Sequence, residues 1–458
     1  MTRCQKYPGQ GCKWGILVLA MVAVASVCTG QQITINRIES MPNKPFPYAM
    51  RDWKNVARGY DSLVFNPDSK GTYLPLVSVS QGFGLSSYVG RLPSQSREAI
   101  NCLAAVVGAS LVGVDKSNQY GSNWVLLCQD WFNQNPQESV YLNNPGASSG
   151  SDWWYDMMPN VFFYQLYSMY PNVGDFQHQF MTVADRWLAA LKAMGASTAP
   201  WGLANVDHRA WYLSTMTPNN ASVHEPEAAG AIAWILYNAF VQTGNTKYRI
   251  GAELAMESLL VYPVAANPSY ELQLPFGAYV AARMNAEVGT TYDIAKTVGW
   301  CFSDGSDNPR LWGVTTGKWG GCDCYGLIGE TSEATGNGYA FIMNTFEQVG
   351  ALVPLVRYDE RYARAIGKWV LNAANAARLF YTNYLPDQNQ DGAEWSHQYD
   401  PESYIAHEAM RQYNLAHNAI TPYATEMPFR MVIQPTSLCT VLPTSAFSGG
   451  SSTPRTSR

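Results

Sequence analysis

The sequence predicts an all-α chain, an (α/α) toroid of about five to six helical hairpins with room for the last to be incomplete at the C-terminus. Three observations carry that prediction. Helix-length stretches that are apolar nearly all round alternate with stretches whose apolar residues fall on one stripe, the pattern of inner and outer helices. The apolar stretches begin near residues 154, 225, 272, 335 and 402, at intervals of 47 to 71 residues, too irregular for a short-period solenoid. Loops rich in Gly, Trp and acidic residues precede the same starts, where a toroid would carry a cleft at one rim.

Taken in order, residues 48–65 read as a first helix, with Trp53, Val56, Tyr60 and Leu63 on one side. A Gly/Ser/Pro-rich stretch follows, with an extended run over 73–79, then a second helix over 96–114. The polar region 115–151 is interrupted only by a short apolar turn at 124–132. Residues 152–171 form an aromatic inner helix, and 176–194 its outer partner, with Phe176, Phe180, Val183, Trp187 and Leu191 on one stripe. The Ala-rich 225–243 pairs with 247–262 across the Gly244-Asn245 stop signal. Residues 272–288 pair with 292–302, and 335–358 with 360–381. A further inner helix is expected from residue 401, with His407 one turn inside it. The chain thus divides into a leader (1–30), a toroid (31–433) and an irregular tail (434–458).

Of the 458 residues, 47% are apolar and 14% charged, which suits a large core and excludes a disordered chain. The formal net charge of −5 and the lack of any Lys/Arg cluster exclude a nucleic-acid partner. Arg3, Lys6 and Lys13 precede an apolar run over 15–27 that ends in small residues, the layout of a secretory signal peptide. The run is shorter than the ~20 residues of a membrane-spanning helix. A secreted, periplasmic or cell-surface location without stable membrane insertion is expected; Cys28 would suit a lipid anchor, but Val27 before it fits that signal poorly. Loss of the leader leaves six cysteines, an even set that permits disulfides, with a link from Cys301 to Cys322 or Cys324 the favoured one. Cys322-Asp323-Cys324 lacks the second ligand pair of a zinc site, so no metal is expected. Nor is there a phosphate loop, a dinucleotide fingerprint or a Gly-x-Ser-x-Gly nucleophile, and no cofactor is expected.

The order of elements, the leader, and the segments HEPEAAGAIAWILYNAF, NPSYELQLPFGAYVAARM and GYAFIMNTFEQVGALVPLVRY resemble the (α/α)-toroid proteins that bacteria export for glycan breakdown. That superfamily holds glycoside hydrolases and polysaccharide lyases. The resemblance spans roughly residues 48–420 and rests on pattern, so no catalytic residue is carried over from it. It implies a polysaccharide or oligosaccharide substrate, as do the 15 Trp and 28 Tyr, since aromatic faces commonly hold sugars.

Glycosidic hydrolysis needs two carboxyls, one protonated and one ionised. Acids recur just before the inner helices, and rim loops would bring them together: Asp152, Asp156, Glu225, Glu227, Glu271, Asp323, Glu330, Glu394 and Glu402. Capping of the helix N-termini is the competing reading for each. The expected catalytic pair takes one acid from Glu225 or Glu271 and one from Asp323 or Glu394, tuned by His208 or His224. Elimination on a polyuronate is the alternative, with Tyr325 or Tyr212 moving the proton and His208, Asn205 and Arg209 around the uronate carboxylate. Few cations lie in these loops, which favours hydrolysis. A non-catalytic, glycan-binding toroid is the third class. Trp153, Trp154, Trp211, Trp312, Trp319, Trp395 and His397 share the same loops and would supply the substrate-binding surface, with loop-to-toroid packing as the competing role for the Trp residues.

Overall fold

The computed structural model describes residues 30–86, 95–221, 223–331, 338–413 and 423–428. Contacts divide the chain into Met1–Gln31 and Gln32–Arg458, and the described residues belong almost wholly to the second unit. The leader, the tail from 434 and Cys439 lie outside them.

The fold is an all-α (α/α) toroid. Its helices are α1 (Asn36–Glu39), α2 (Trp53–Val64), α3 (Ala99–Leu111), α4 (Trp124–Leu127), α5 (Trp153–Met169), α6 (Phe176–Ala193), α7 (Ala228–Thr243), α8 (Thr246–Leu260), α9 (Gln273–Val288), α10 (Ile294–Cys301), α11 (Ile342–Leu355), α12 (Ala363–Ala377) and α13 (Ala393–Tyr399). Helices α3, α5, α7, α9 and α11 pack side by side in that order and form the inner layer. They are buried nearly all round because their sequences offer no polar stripe to solvent. Outside them, α6 lies on α5 and α7, α8 on α7, α10 on α9 and α12 on α11. Helix α2 packs on α3, and Trp53 at its start meets Phe346 of α11 edge-on at 5.4 Å, so α2 touches both the first and the last inner helix.

Local chemistry sets the ends. Gly244 adopts φ +69 after α7, a left-handed stop, and Asn245 then caps α8 by accepting from the Lys247 amide at 3.1 Å. Asp152 caps α5 through the Trp154 amide at 2.9 Å, and Asp293 caps α10 through that of Lys296 at 3.0 Å. No helix among the described residues is long and apolar enough to cross a membrane.

Two expectations are corrected by strands. Trp312–Val314, Ile328–Glu330, Tyr339–Phe341, His407–Arg411 and Tyr423–Pro428 form one antiparallel five-stranded sheet, with neighbours in that order. The helix expected from 335 therefore begins at Ile342, and Tyr339 sits in a strand paired with Arg411. The helix expected from 401 is replaced by α13 before it and the strand His407–Arg411 within it. That strand has neighbours on both sides and is buried from His407 to Met410. Its sequence, HEAMR, buries His407 and Glu408 together with Ala409 and Met410, so it has no polar–apolar alternation by which periodicity distinguishes strand from helix. His407 links it to the carbonyls of Phe380 at 3.0 Å and Asp391 at 2.6 Å.

The disulfide expectation also fails. Cys102, Cys128, Cys301, Cys322 and Cys324 are free thiols. Cys301 and Cys324 are part of the hydrophobic core, where burial pushes both thiols up.

Candidate active site

The loops before α5, α7 and α9 deliver Asp152, Glu225 and Glu271 to one place, and the backbone between them explains why. The hairpin of strands Ala210–Tyr212 and Thr217–Asn219 packs against α5. Just before it, the His208 carbonyl accepts both the Trp153 indole N–H (2.9 Å) and the Glu225 amide (3.0 Å). The Arg209 carbonyl accepts the Trp153 amide at 3.3 Å, and Asn219 donates to the Gly150 carbonyl at 2.8 Å. One short segment, 208–209, thus fixes Trp153, next to Asp152, and the backbone of Glu225 itself.

On the other side, loop 267–271 is locked to loop 303–311. Asn267 donates to the Trp300 carbonyl (3.2 Å) and to Asp307 (3.1 Å), while Asn308 donates to the Ser269 carbonyl and accepts the Arg310 amide at 2.7 Å. Glu271 and Leu311 take φ values of +54 and +55, in the left-handed region that side-chain-bearing residues seldom occupy. Strain of this kind is retained where the surroundings over-determine it, most often at functional sites.

Two arginines stand among the acids. The Arg209 Nη2 is 2.7 Å from Asp152 Oδ2, and the Arg310 Nη1 is 3.1 Å from Glu225 Oε1. The Arg310 guanidinium also lies 3.4 Å from the centre of the Tyr270 ring, which Trp312 meets edge-on at 5.1 Å. Glu225 Oε2 and Glu271 Oε2 are buried without hydrogen-bond partners, and Glu271 receives its other bond from the Tyr270 hydroxyl.

Burial dominates the acid–base state of this cluster. It raises Glu225 to about 8, with the neighbouring Asp152 adding to the rise and Arg310 and Arg209 opposing it. Glu271 is pushed well above the usual carboxylate range by burial, then by Asp152 and Glu225. Glu227, next to Pro226, is raised likewise by burial, then by Glu225 and Glu271. A carboxyl that stays protonated at neutral pH beside an ion-paired one is the combination acid–base catalysis requires. A pocket of about 410 Å³ opens beside the cluster, lined among others by His224, Pro226, Tyr262, Tyr270 and Arg310.

Of the expected catalytic residues, Glu225 and Glu271 come together. Asp323 instead accepts the Phe46 amide at 2.7 Å and pairs with Lys318 at 3.1 Å, holding the N-terminal segment. Glu394 is exposed in the first turn of α13, beside a separate pocket formed with Thr72, Gln390 and Tyr399. His208 is buried, its Nδ1 2.8 Å from Asn220 Oδ1 and its ring against Trp211, so its contribution to the site is through its carbonyl. His224 is exposed on the pocket wall, 3.1 Å from Asp207. Tyr325 is half-buried against the core.

Arg209 takes its place beside Asp152. Asn205 is exposed and accepts the Asp207 amide, and Tyr212 is exposed at the hairpin edge. The expected tryptophan platforms are not open faces: Trp153, Trp154, Trp211, Trp312, Trp319 and Trp395 are each at most 5% exposed and fill the space between loops and helices. His397 pairs with Asp387 at 2.9 Å on the surface of α13. The sequence reading missed Tyr270 and gave Asp152 no place in the catalytic pair. The Asp-Trp-Trp start of α5 marked Asp152 as a cap, which it is, and capping concealed its second contact with Arg209.

No protein-family model matches this chain, and no curated protein matches it. Among solved structures, a crystal structure of D-mannose isomerase is similar with a TM-score of 0.46 and 11% identity, covering 86% of this chain and 100% of that one.

Proposed function

We propose that this protein is a carbohydrate-active enzyme that hydrolyses glycosidic bonds. The observation that carries the reading is Glu225, a buried carboxyl raised to about 8, with one oxygen on Arg310 and the other unpartnered, in the same cluster as the Asp152–Arg209 ion pair. Glu225 serves as the general acid and gives its proton to the leaving oxygen. Asp152 is the ionised partner, acting on water or on the sugar carbon from the other side of the bond. Glu271, held by Tyr270, adds a second protonated carboxyl near the reacting groups.

Elimination on a polyuronate is less well supported. It would call on Arg209 to neutralise the substrate carboxylate, and Arg209 is already paired with Asp152. Secretion by the N-terminal leader belongs to the same proposal and rests on the sequence pattern alone.

In a reducing-end assay on neutral polysaccharides, Glu225→Gln should lose about 10²–10⁴-fold in kcat/KM, the usual share of a general acid. Its thermal midpoint should not fall, because the amide fills the same space without a buried ionisable group. Activity retained in Glu225→Gln would remove Glu225 from the acid role.

A further inference from the structure

A second pocket, of about 500 Å³, lies between the turn at residues 71–73 and α13, and it shares no lining residue with the pocket beside the acid cluster. The turn and the helix are fastened together. The Trp395 indole N–H donates to the Thr72 carbonyl at 2.8 Å, and the Tyr399 hydroxyl accepts the Thr72 amide at 3.0 Å. The turn runs so close to α13 that a Cβ on Gly71 would collide with the Tyr399 ring, and Tyr73 takes a φ of +67, a left-handed value that a bulky residue seldom adopts. Strain of this kind is retained where the surroundings over-determine it, and here it places half-buried Tyr73 on the pocket wall. Gln390, 6% exposed, also lines the pocket. Its amide group donates to the carbonyls of Thr382 (2.9 Å) and Leu385 (3.0 Å), which leaves its Oε1 without a donor. Glu394 and Gln398 stand one turn apart on α13, both lining the pocket and both exposed, and neither side chain is bonded to another described residue.

We infer that this pocket is a second glycan-binding site, which holds an uncharged sugar unit through Glu394, Gln398 and the Tyr73 ring. The inference rests on the glycan-directed reading of the acid cluster. A carboxylate accepts and an amide both donates and accepts, a combination that suits hydroxyls, which do both. Tyr73 supplies an aromatic surface for the apolar side of a sugar ring. The unmet Oε1 of Gln390 is the kind of buried acceptor that a hydroxyl-bearing ligand completes. Glu394 is the one charged group among the described residues that line the pocket, so an anionic sugar meets a like charge with no cation to offset it. A cation would gain from Glu394 but finds no open aromatic cage, because the Trp395 ring is buried and packs on Tyr399 at 5.3 Å. A site apart from the reacting acids would hold a polymer on the protein and raise its effective concentration there.

The test is affinity electrophoresis of the full chain carrying Glu225→Gln, which separates binding from turnover, through gels containing β-glucan, xylan, galactomannan, polygalacturonate or chitosan. At least one neutral polymer should retard the protein, more strongly than polygalacturonate or chitosan does. Adding Glu394→Ala with Gln398→Ala should weaken that retention by about tenfold in Kd. Both side chains are exposed, so the thermal midpoint should hold; Tyr73→Leu, on the turn and not on α13, should weaken retention as well and serves if the first pair fails to fold. With Glu225 intact, the Glu394 and Gln398 changes should leave kcat/KM on a short neutral oligosaccharide within about twofold and raise KM on the polymer. No retention by any neutral polymer, stronger retention by polygalacturonate or chitosan, or retention unchanged in the folded variants would overturn the inference. So would loss of turnover on the short oligosaccharide, which would make this pocket part of the catalytic site. Retention lost in the variants, with no turnover by the unaltered protein, would instead sink the hydrolytic reading and leave this site standing.

Discussion

Arg310 shows how one side chain sets the working range of the site. It bonds Glu225, stacks on Tyr270 and is held by Asn308 through its own amide. Its positive charge holds Glu225 below the value burial alone would impose. Hydrolysis needs Glu225 protonated, so activity should decline as pH rises through about 8. Arg310→Gln removes the opposing charge, and the alkaline limb of the kcat/KM profile should move upward by about one pH unit, the size of an ordinary neighbouring-charge effect. An unmoved limb would mean that Arg310 does not tune this acid. At this scale the sequence pointed to Glu225, Glu271 and Arg209 by their place just before inner helices, where rim loops meet, and the structure sets them among one cluster of acids and arginines. It was silent on the pairing of Asp152 with Arg209 and of Tyr270 with Arg310, which depends on loop geometry that local spacing does not encode. It also overvalued the tryptophans: indole rings serve as well for packing as for stacking, and only burial separates the two.

At the scale of elements, the α7–α9 crossing is the tightest constraint on the site. Gly230→Ala would push a methyl group against backbone, not against a side chain able to move aside. The cost should be about 1–3 kcal/mol, read as a lower urea midpoint at unchanged slope. Full stability in that variant would contradict the crossing. The paired helices were legible because the inner ones are helix-length apolar runs and the outer ones carry one apolar stripe, with recognisable boundaries such as the Gly244-Asn245 stop and the Asp293 cap. The strand His407–Arg411 was not, since its register depends on Tyr339–Phe341 and Tyr423–Pro428, remote in sequence.

For the whole molecule, the buried acids make stability depend on pH. Glu225, Glu227, Glu271 and Asp156 all bind protons more tightly when folded than when unfolded. Their stabilising contribution is complete below about pH 4, the unfolded range of carboxyls, and is lost as pH rises toward and through their folded values, about 8 for Glu225. His407 acts the other way, because burial lowers it, but only below its unfolded value of about 6.5. The melting midpoint should therefore be lower at pH 8.5 than at pH 6.5, by about 5 °C. Glu227→Gln should flatten that slope, and a midpoint rising over the interval would contradict the buried, protonated state of the cluster. The toroid itself was readable at this scale, since the alternation of apolar and striped helices is a property of the full chain. The five-stranded sheet beside α11 was not.

The most direct test is digestion of neutral and uronic-acid polysaccharides in parallel, following new reducing ends and unsaturated-uronate absorbance in the same samples. The account predicts new reducing ends from a neutral polysaccharide with no unsaturation, and loss of those reducing ends in Glu225→Gln. Unsaturated products from a polyuronate, undiminished in Glu225→Gln, would contradict it.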